Sequence, residues 1–235
     1  NIVSIFNSKI HTLYDIKKDL INFYFDSSNV KNSNIDYNGN LSIQPFDLKF
    51  KLKIKEYSIS KMQNVNSIMS ELVKTKLLFN NNISANVSID LDLKKNNIFD
   101  TARIYFKIMN GQINFNKSKL INDKIGLLEL NNSNLFFEKN KLILNTNVEI
   151  KIKKPDNLYS LLRTPKKSRK PIKNILVNLD YDFLDNEINF NKVNIDGNEN
   201  NVEIINLISD FEYNKDSNLN KSKRLINKIF SIYEG

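Results

Sequence analysis

The chain has 235 residues, 40% of them hydrophobic and 26% charged, with a formal net charge of +9. That length supports a sizeable core, and the regular placement of Ile, Leu, Val and Phe excludes a chain disordered throughout. The absence of Cys excludes disulfide scaffolds, zinc–cysteine sites, iron–sulfur clusters and thiol catalysis, and a single His with no Trp removes most histidine-based constellations.

In chain order, Ile2–Leu20 reads as either helix or two strands, and Leu20–Phe25 as a strand. A turn is expected at Asn38-Gly39. From Phe46, the residues Phe46, Leu48, Phe50, Leu52 and Ile54 alternate with Asp47 and four lysines, the mark of a half-buried strand. Val65, Ile68, Met69, Leu72 and Val73 fall at three-and-four spacing, which predicts an amphipathic helix over about Met62–Leu77. Alternation resumes from Ile83 to Leu93 and in shorter strands at Arg103–Ile108, Gln112–Phe115, Gly126–Leu130 and Asn134–Phe137. Turns are expected at Asn110-Gly111, Asn131-Asn132-Ser133 and Lys139-Asn140. A long strand follows at Leu142–Ile152, then a short helix N-capped by Asp156 and ending ahead of Pro165. Strands at Ile175–Phe183 and Glu187–Ile195 flank a turn at Asp185-Asn186. Helices are expected near Glu199–Asp210 and around Leu225–Phe230, making 199–235 a C-terminal helical segment of a single β-rich domain, 1–235. The segment Ile113–Lys117 recurs literally as Ile188–Lys192, which fits a fold built by repeating one hairpin unit.

The Asn content, 41 residues, and the abundance of Lys and Ile match AT-rich codons, so part of the positive charge reflects mutational bias. A chain that starts at Asn1 in place of Met is expected to be a fragment of a longer one. No apolar stretch approaches the roughly 20 residues needed to span a bilayer.

The residues assemble no catalytic, metal or cofactor site. His11 lacks partners at any catalytic or metal-ligand spacing. Asp180, Asp182, Asp185 and Glu187 cluster at a strand end and read as a solvated face. Asp196-Gly197-Asn198-Glu199 resembles part of a calcium loop but lacks the other ligand positions, so it reads as a turn before a helix. The basic run Arg163, Lys166, Lys167, Arg169, Lys170 and Lys173 is either an anion-binding loop or a solvated connection. No aromatic residues interleave with it, which argues against nucleic acid. The uniformly apolar strand faces must be buried against something. A two-sheet sandwich, a sheet capped by helices and a curved groove for acyl chains all satisfy that requirement.

The strands Ile104–Asn110 with Gly111–Ile113, Gly126–Leu130 and Leu142–Thr146, and the ending Val193–Gly197 before a helix, resemble the C-terminal regions of AsmA-like proteins of Gram-negative bacteria. The resemblance covers about Phe46 to Gly197. It implies a taco-like β-groove in the periplasm, tethered to the inner membrane by a flanking anchor and serving outer-membrane lipid homeostasis. The family brings no catalytic residues. The chain is more basic and more helical than a plain groove repeat. The expected fold is therefore a mainly β, curved antiparallel sheet with a few packed helices, and the expected role is non-enzymatic. Its partner is a phospholipid or other acyl lipid, with no cofactor and no nucleic acid. Ile89, Leu91, Val148, Ile150, Val177 and Leu179 are the candidate apolar groove, and Lys166, Lys167, Arg169 and Lys170 the candidate headgroup contacts. The alternative is a structural or protein-interaction β domain with a closed core.

Overall fold

The computed structural model describes residues 2–5, 8–26, 34–57, 75–94, 98–185, 187–199, 202–212 and 219–233. Among the described residues the chain is mainly β. The described strands are β1 (Ile2–Ile5), β2 (Ser8–Lys17), β3 (Leu20–Phe25), β4 (Ile35–Ser42), β5 (Asp47–Tyr57), β6 (Ser84–Leu93), β7 (Thr101–Met109), β8 (Gln112–Asn114), β9 (Lys119–Asn122), β10 (Gly126–Glu138), β11 (Lys141–Ile152), β12 (Asn174–Asp182), β13 (Glu187–Ile195) and β14 (Asn198–Glu199). The described helices are α1 (Pro155–Leu162), α2 (Val202–Glu212) and α3 (Leu219–Ile232). Two compact units divide the chain: unit 1 is Asn1–Leu120 with Asn134–Phe137, and unit 2 is Ile121–Ser133 with Glu138–Gly235.

In unit 1, β1 to β8 neighbour one another in sequence order, and the Asn134–Phe137 part of β10 pairs with β8. Every pair for which a register is resolved is antiparallel except β5–β6, which is parallel. The antiparallel meander expected from the alternation is corrected there. A parallel pair requires a crossover connection, supplied by residues 58–83, and no hairpin can serve. The expected helix at Met62–Leu77 falls largely outside the described residues; Thr75 and Lys76 form a turn, followed by a 3₁₀ turn at Leu77–Phe79.

Two expected turns are instead strand. Asn38-Gly39 lies within β4. Gly39 serves packing: a Cβ there would come within 2.5 Å of both the Lys49 carbonyl oxygen and the Phe23 ring. The missing side chain lets Phe23 lean across β4 to meet Phe50, with ring centroids 6.0 Å apart. Asn131-Asn132-Ser133 runs through the middle of β10, with Asn132 alone at a positive φ of 47°. By contrast, Asn110 and Gly111 (φ 54° and 69°) and Lys139 and Asn140 (φ 46° and 66°) make the expected two-residue turns, both residues left-handed as a right-twisted hairpin requires.

In unit 2, β11–β12–β13–β14 pair antiparallel in order, with a register shift at Asn178/Leu179. Their polar face is laced by cross-strand amides. Asn178 donates to Asn147 (2.6 Å), and Asn145 and Asn191 both donate to Asp180 (2.6 and 2.8 Å). The opposite face carries the core. Ile152, Tyr159, Leu162, Ile172, Val193, Ile195, Ile204, Ile208, Phe230 and Tyr233 form one buried cluster, so all three helices pack on this end of the sheet. Pro155 opens α1 after an extended Lys154, which corrects the expected cap at Asp156; that residue lies in the first turn, where its charge suits the helix dipole. The left-handed Arg163 ends α1 ahead of Pro165, as expected. The turn Asp196-Gly197 leads into β14, and α2 begins at Val202, later than the expected Glu199.

The two copies of the repeated pentapeptide differ. Ile113 is buried at 2% exposure in β8, which ends at Asn114, whereas Ile188 is 36% exposed and its copy continues through β13.

Candidate functional site

Four surfaces qualify: the apolar strand face of each unit, the basic loop and the acidic strand end. In unit 1 the register aligns apolar residues into rows across the strands. Ile35, Ile54, Leu91 and Ala102 form a buried row, with Phe25 and Tyr57 in the same cluster. The next row, Tyr37, Leu52, Ile89 and Ile104, is half-buried. Beyond it lie Phe23, Gly39, Phe50, Val87 and Phe106, of which only Val87 is buried. Toward the β2 edge the apolar face ends in exposed Tyr14 and Ile16. Ile89 and Leu91 therefore share a strand face but not an environment: Leu91 is core, and Ile89 is half-covered.

In unit 2, Ile150 pairs with Ile175 and Val148 with Val177, and Ile150, Ile175 and Val177 pack against the helical cluster. Leu179 lies opposite Thr146, one row further from the helices. Thr146 is only 2% exposed and its hydroxyl has no hydrogen-bond partner. The four candidate residues of this unit are half-buried, two of them, Ile150 and Val177, beneath the helices.

A cavity of about 300 Å³ opens on the polar face of unit 1. Lys49, Lys51, Ser88, Tyr105, Lys107 and Asn114 line it, and pleat alternation puts all six on the face opposite the apolar rows. Sequence reading missed this cavity, because its residues come from four strands.

The basic loop is held firmly. The Tyr159 hydroxyl donates to the Lys170 carbonyl, Arg169 Nε donates to the Thr164 carbonyl (3.1 Å), and Ser168 and Ile172 are buried. Thr164 Oγ1 donates to Asn227 Oδ1 (2.6 Å), and Asn227 Nδ2 donates to the Leu162 carbonyl (3.0 Å), fastening α3 to the loop. Burial pushes the Tyr159 phenol above its ordinary value, so it stays a donor. Lys166, Lys167 and Arg169 are exposed on a 3₁₀ turn and its cap, and Lys170 is half-buried.

The acidic strand end gathers on one cation. Lys141 Nζ lies 3.4 Å from Asp182, 3.4 Å from Asp185 and 3.8 Å from Glu187. Burial pushes the Asp182 carboxyl up, but the backbone N–H groups of Leu184 and Asp185 and the Lys141 ammonium together outweigh it, and its pKa is lowered. Hydrogen bonds to Asp182 and Asp185 hold Lys141 above its ordinary value. Asp196 spends both carboxylate oxygens on the backbone N–H groups of Lys173 (2.9 and 3.1 Å) and Asn174 (2.7 Å), which makes it a loop staple. Among the described residues, no three His, Cys, Asp or Glu side chains group as metal ligands, and no helix is long and apolar enough to cross a membrane. Compared with family models, curated proteins and solved structures, the chain has no match.

Proposed function

We propose that the chain is a non-enzymatic lipid-handling segment of a periplasmic AsmA-like protein, tethered by a flanking anchor to the inner membrane of a Gram-negative bacterium. Phospholipid or another acyl lipid lies along the apolar rows of the unit 1 sheet. The observation that supports this reading is the half-covered row Tyr37, Leu52, Ile89 and Ile104, which continues the buried row beside it in register. An acyl chain laid there gains roughly 0.8 kcal/mol per buried methylene, so no specific polar contact is needed to hold it. The second reading, a closed structural domain, is favoured by unit 2, where three helices cover Ile150, Ile152 and Val177.

Mass spectrometry of organic extracts from the purified chain, against a mock purification, tests the proposal. Stoichiometric phospholipid is expected, and it should be lost in the double variant Ile89→Asp, Ile104→Asp, provided the far-ultraviolet circular dichroism is retained. A folded wild-type chain that yields no lipid above the mock overturns the acyl reading in favour of the closed domain.

A further inference from the structure

We infer that the basic loop and α3 together form a cationic platform that docks on an anionic bilayer surface. Arg163, Lys166, Lys167, Arg169, Lys170 and Lys173 occupy a stretch that contains no acidic residue. None of the six forms an ion pair among the described residues. Asn227 fastens α3 against this loop, and on a helix Arg224 and Lys228 sit three residues before and one after it, four apart from each other. Both are exposed and likewise unpaired, so tertiary structure adds them to the loop's charge.

Codon bias does not account for this patch. The bias that enriches Lys disfavours Arg, and the chain has only four arginines, Arg103, Arg163, Arg169 and Arg224. Three of the four belong to the platform. Nor is the patch a slack surface loop, since buried Ser168 and Ile172 and the contacts of Tyr159, Thr164 and Asn227 fix its backbone.

The chemistry favours a bilayer over nucleic acid. No aromatic residue lies within 163–173, and the nearby rings of Tyr159 and Phe230 are buried at 2% and 1% exposure, edge-on to each other, leaving no surface for base stacking. The exposed rings of Pro165 and Pro171 stand between the cations, where a lipid interface accepts apolar groups and a phosphodiester backbone does not.

Vesicle flotation of the full chain tests this inference, using phosphatidylcholine alone and phosphatidylcholine mixed with phosphatidylglycerol. Binding is expected only to the anionic vesicles and should weaken as salt screens the charges. Neutralising either pair, Lys166→Gln with Lys167→Gln or Arg224→Gln with Lys228→Gln, should lower the partition coefficient roughly 25-fold, about five-fold per cation. A matched pair on the unit 1 cavity, Lys49→Gln with Lys51→Gln, should leave it unchanged. Equal binding to neutral vesicles overturns the inference, as does an equal loss in the unit 1 pair, which would make net charge the cause. Displacement by random oligonucleotide from vesicles at matched phosphate concentration overturns it in favour of nucleic acid. Lipid extraction reads the acyl proposal independently, so either idea can fail while the other stands.

Discussion

In unit 1 the row Tyr37, Leu52, Ile89 and Ile104 stays half-buried, whereas in unit 2 Ile152, Val193 and Ile195 lie beneath three helices at 8% exposure or less. Both units use the same device, strands that alternate apolar and polar residues. What differs is the cover. Unit 2 owns α1, α2 and α3, whose apolar sides meet in Phe230, Ile208 and Tyr159. The described part of unit 1 owns no α-helix: one buried row runs through Ile35, Ile54, Leu91 and Ala102, another through Ala85, Ile108, Ile113 and Leu135, and the rows between them are half-covered except at Val87. An alternating strand therefore specifies an apolar face without specifying what covers it.

The sharpest test of this contrast is a pair of truncations followed by urea unfolding. Phe230→Ala removes a ring that is 1% exposed and should cost about 3–5 kcal/mol. Phe50→Ala removes a half-exposed ring and should cost roughly half as much, since less area leaves water. Equal losses would mean that the unit 1 face is as closed as that of unit 2, and the contrast would fail.

A smaller effect should come from Gly39→Ala. Its new methyl would meet the Lys49 carbonyl and the Phe23 ring, and overpacking of this kind costs about 1–3 kcal/mol. The near-ultraviolet circular dichroism should change with it, because the Phe23–Phe50 contact depends on that gap. An unaltered spectrum and midpoint would show that Phe23 does not need the space.

In unit 2, Thr146→Val replaces a buried hydroxyl that lacks a partner by a methyl of similar volume. The variant should be more stable by about 1 kcal/mol in thermal unfolding, the opposite sign to the other substitutions. A destabilised variant would place an unseen donor or acceptor beside Leu179.

The pH effect is the smallest. Asp182 has a folded pKa below its ordinary value of 3.8, so the stability it contributes is present above that value. It is lost as pH falls through the lower folded value. Acid titration of unfolding should show this loss below about pH 4, and Asp182→Asn should flatten that limb. An unchanged limb in the variant would remove Asp182 from the acid response.

The strands were legible because alternation is local. Leu20–Phe25 is found as expected, Ile83–Leu93 and Leu142–Ile152 differ from β6 and β11 by one residue at the start, and Ile175–Phe183 is shifted by one residue at each end from β12. Punctuation was less reliable. Asn110-Gly111 and Asn38-Gly39 are identical dipeptides, yet one is a turn and the other lies in mid-strand. The second is decided by Phe23 and Lys49, which no short window around Gly39 contains. Of the candidate contacts, the basic loop was visible as a charge run, but Arg224 and Lys228 were not. Some fifty residues separate them from the loop, and the bonds of Asn227 to Thr164 and to the Leu162 carbonyl show that they adjoin it.

The sequence by itself determined the mainly β class, most strand positions and the lack of thiol chemistry. Each of these follows from side-chain period or from residue types that are absent. Tertiary structure decided the parallel β5–β6 pair, the helical cover of unit 2, the cavity across four strands and the joining of α3 to the basic loop. The physical reason is range: alternation acts over two residues, whereas burial and charge depend on partners that a sequence window does not contain.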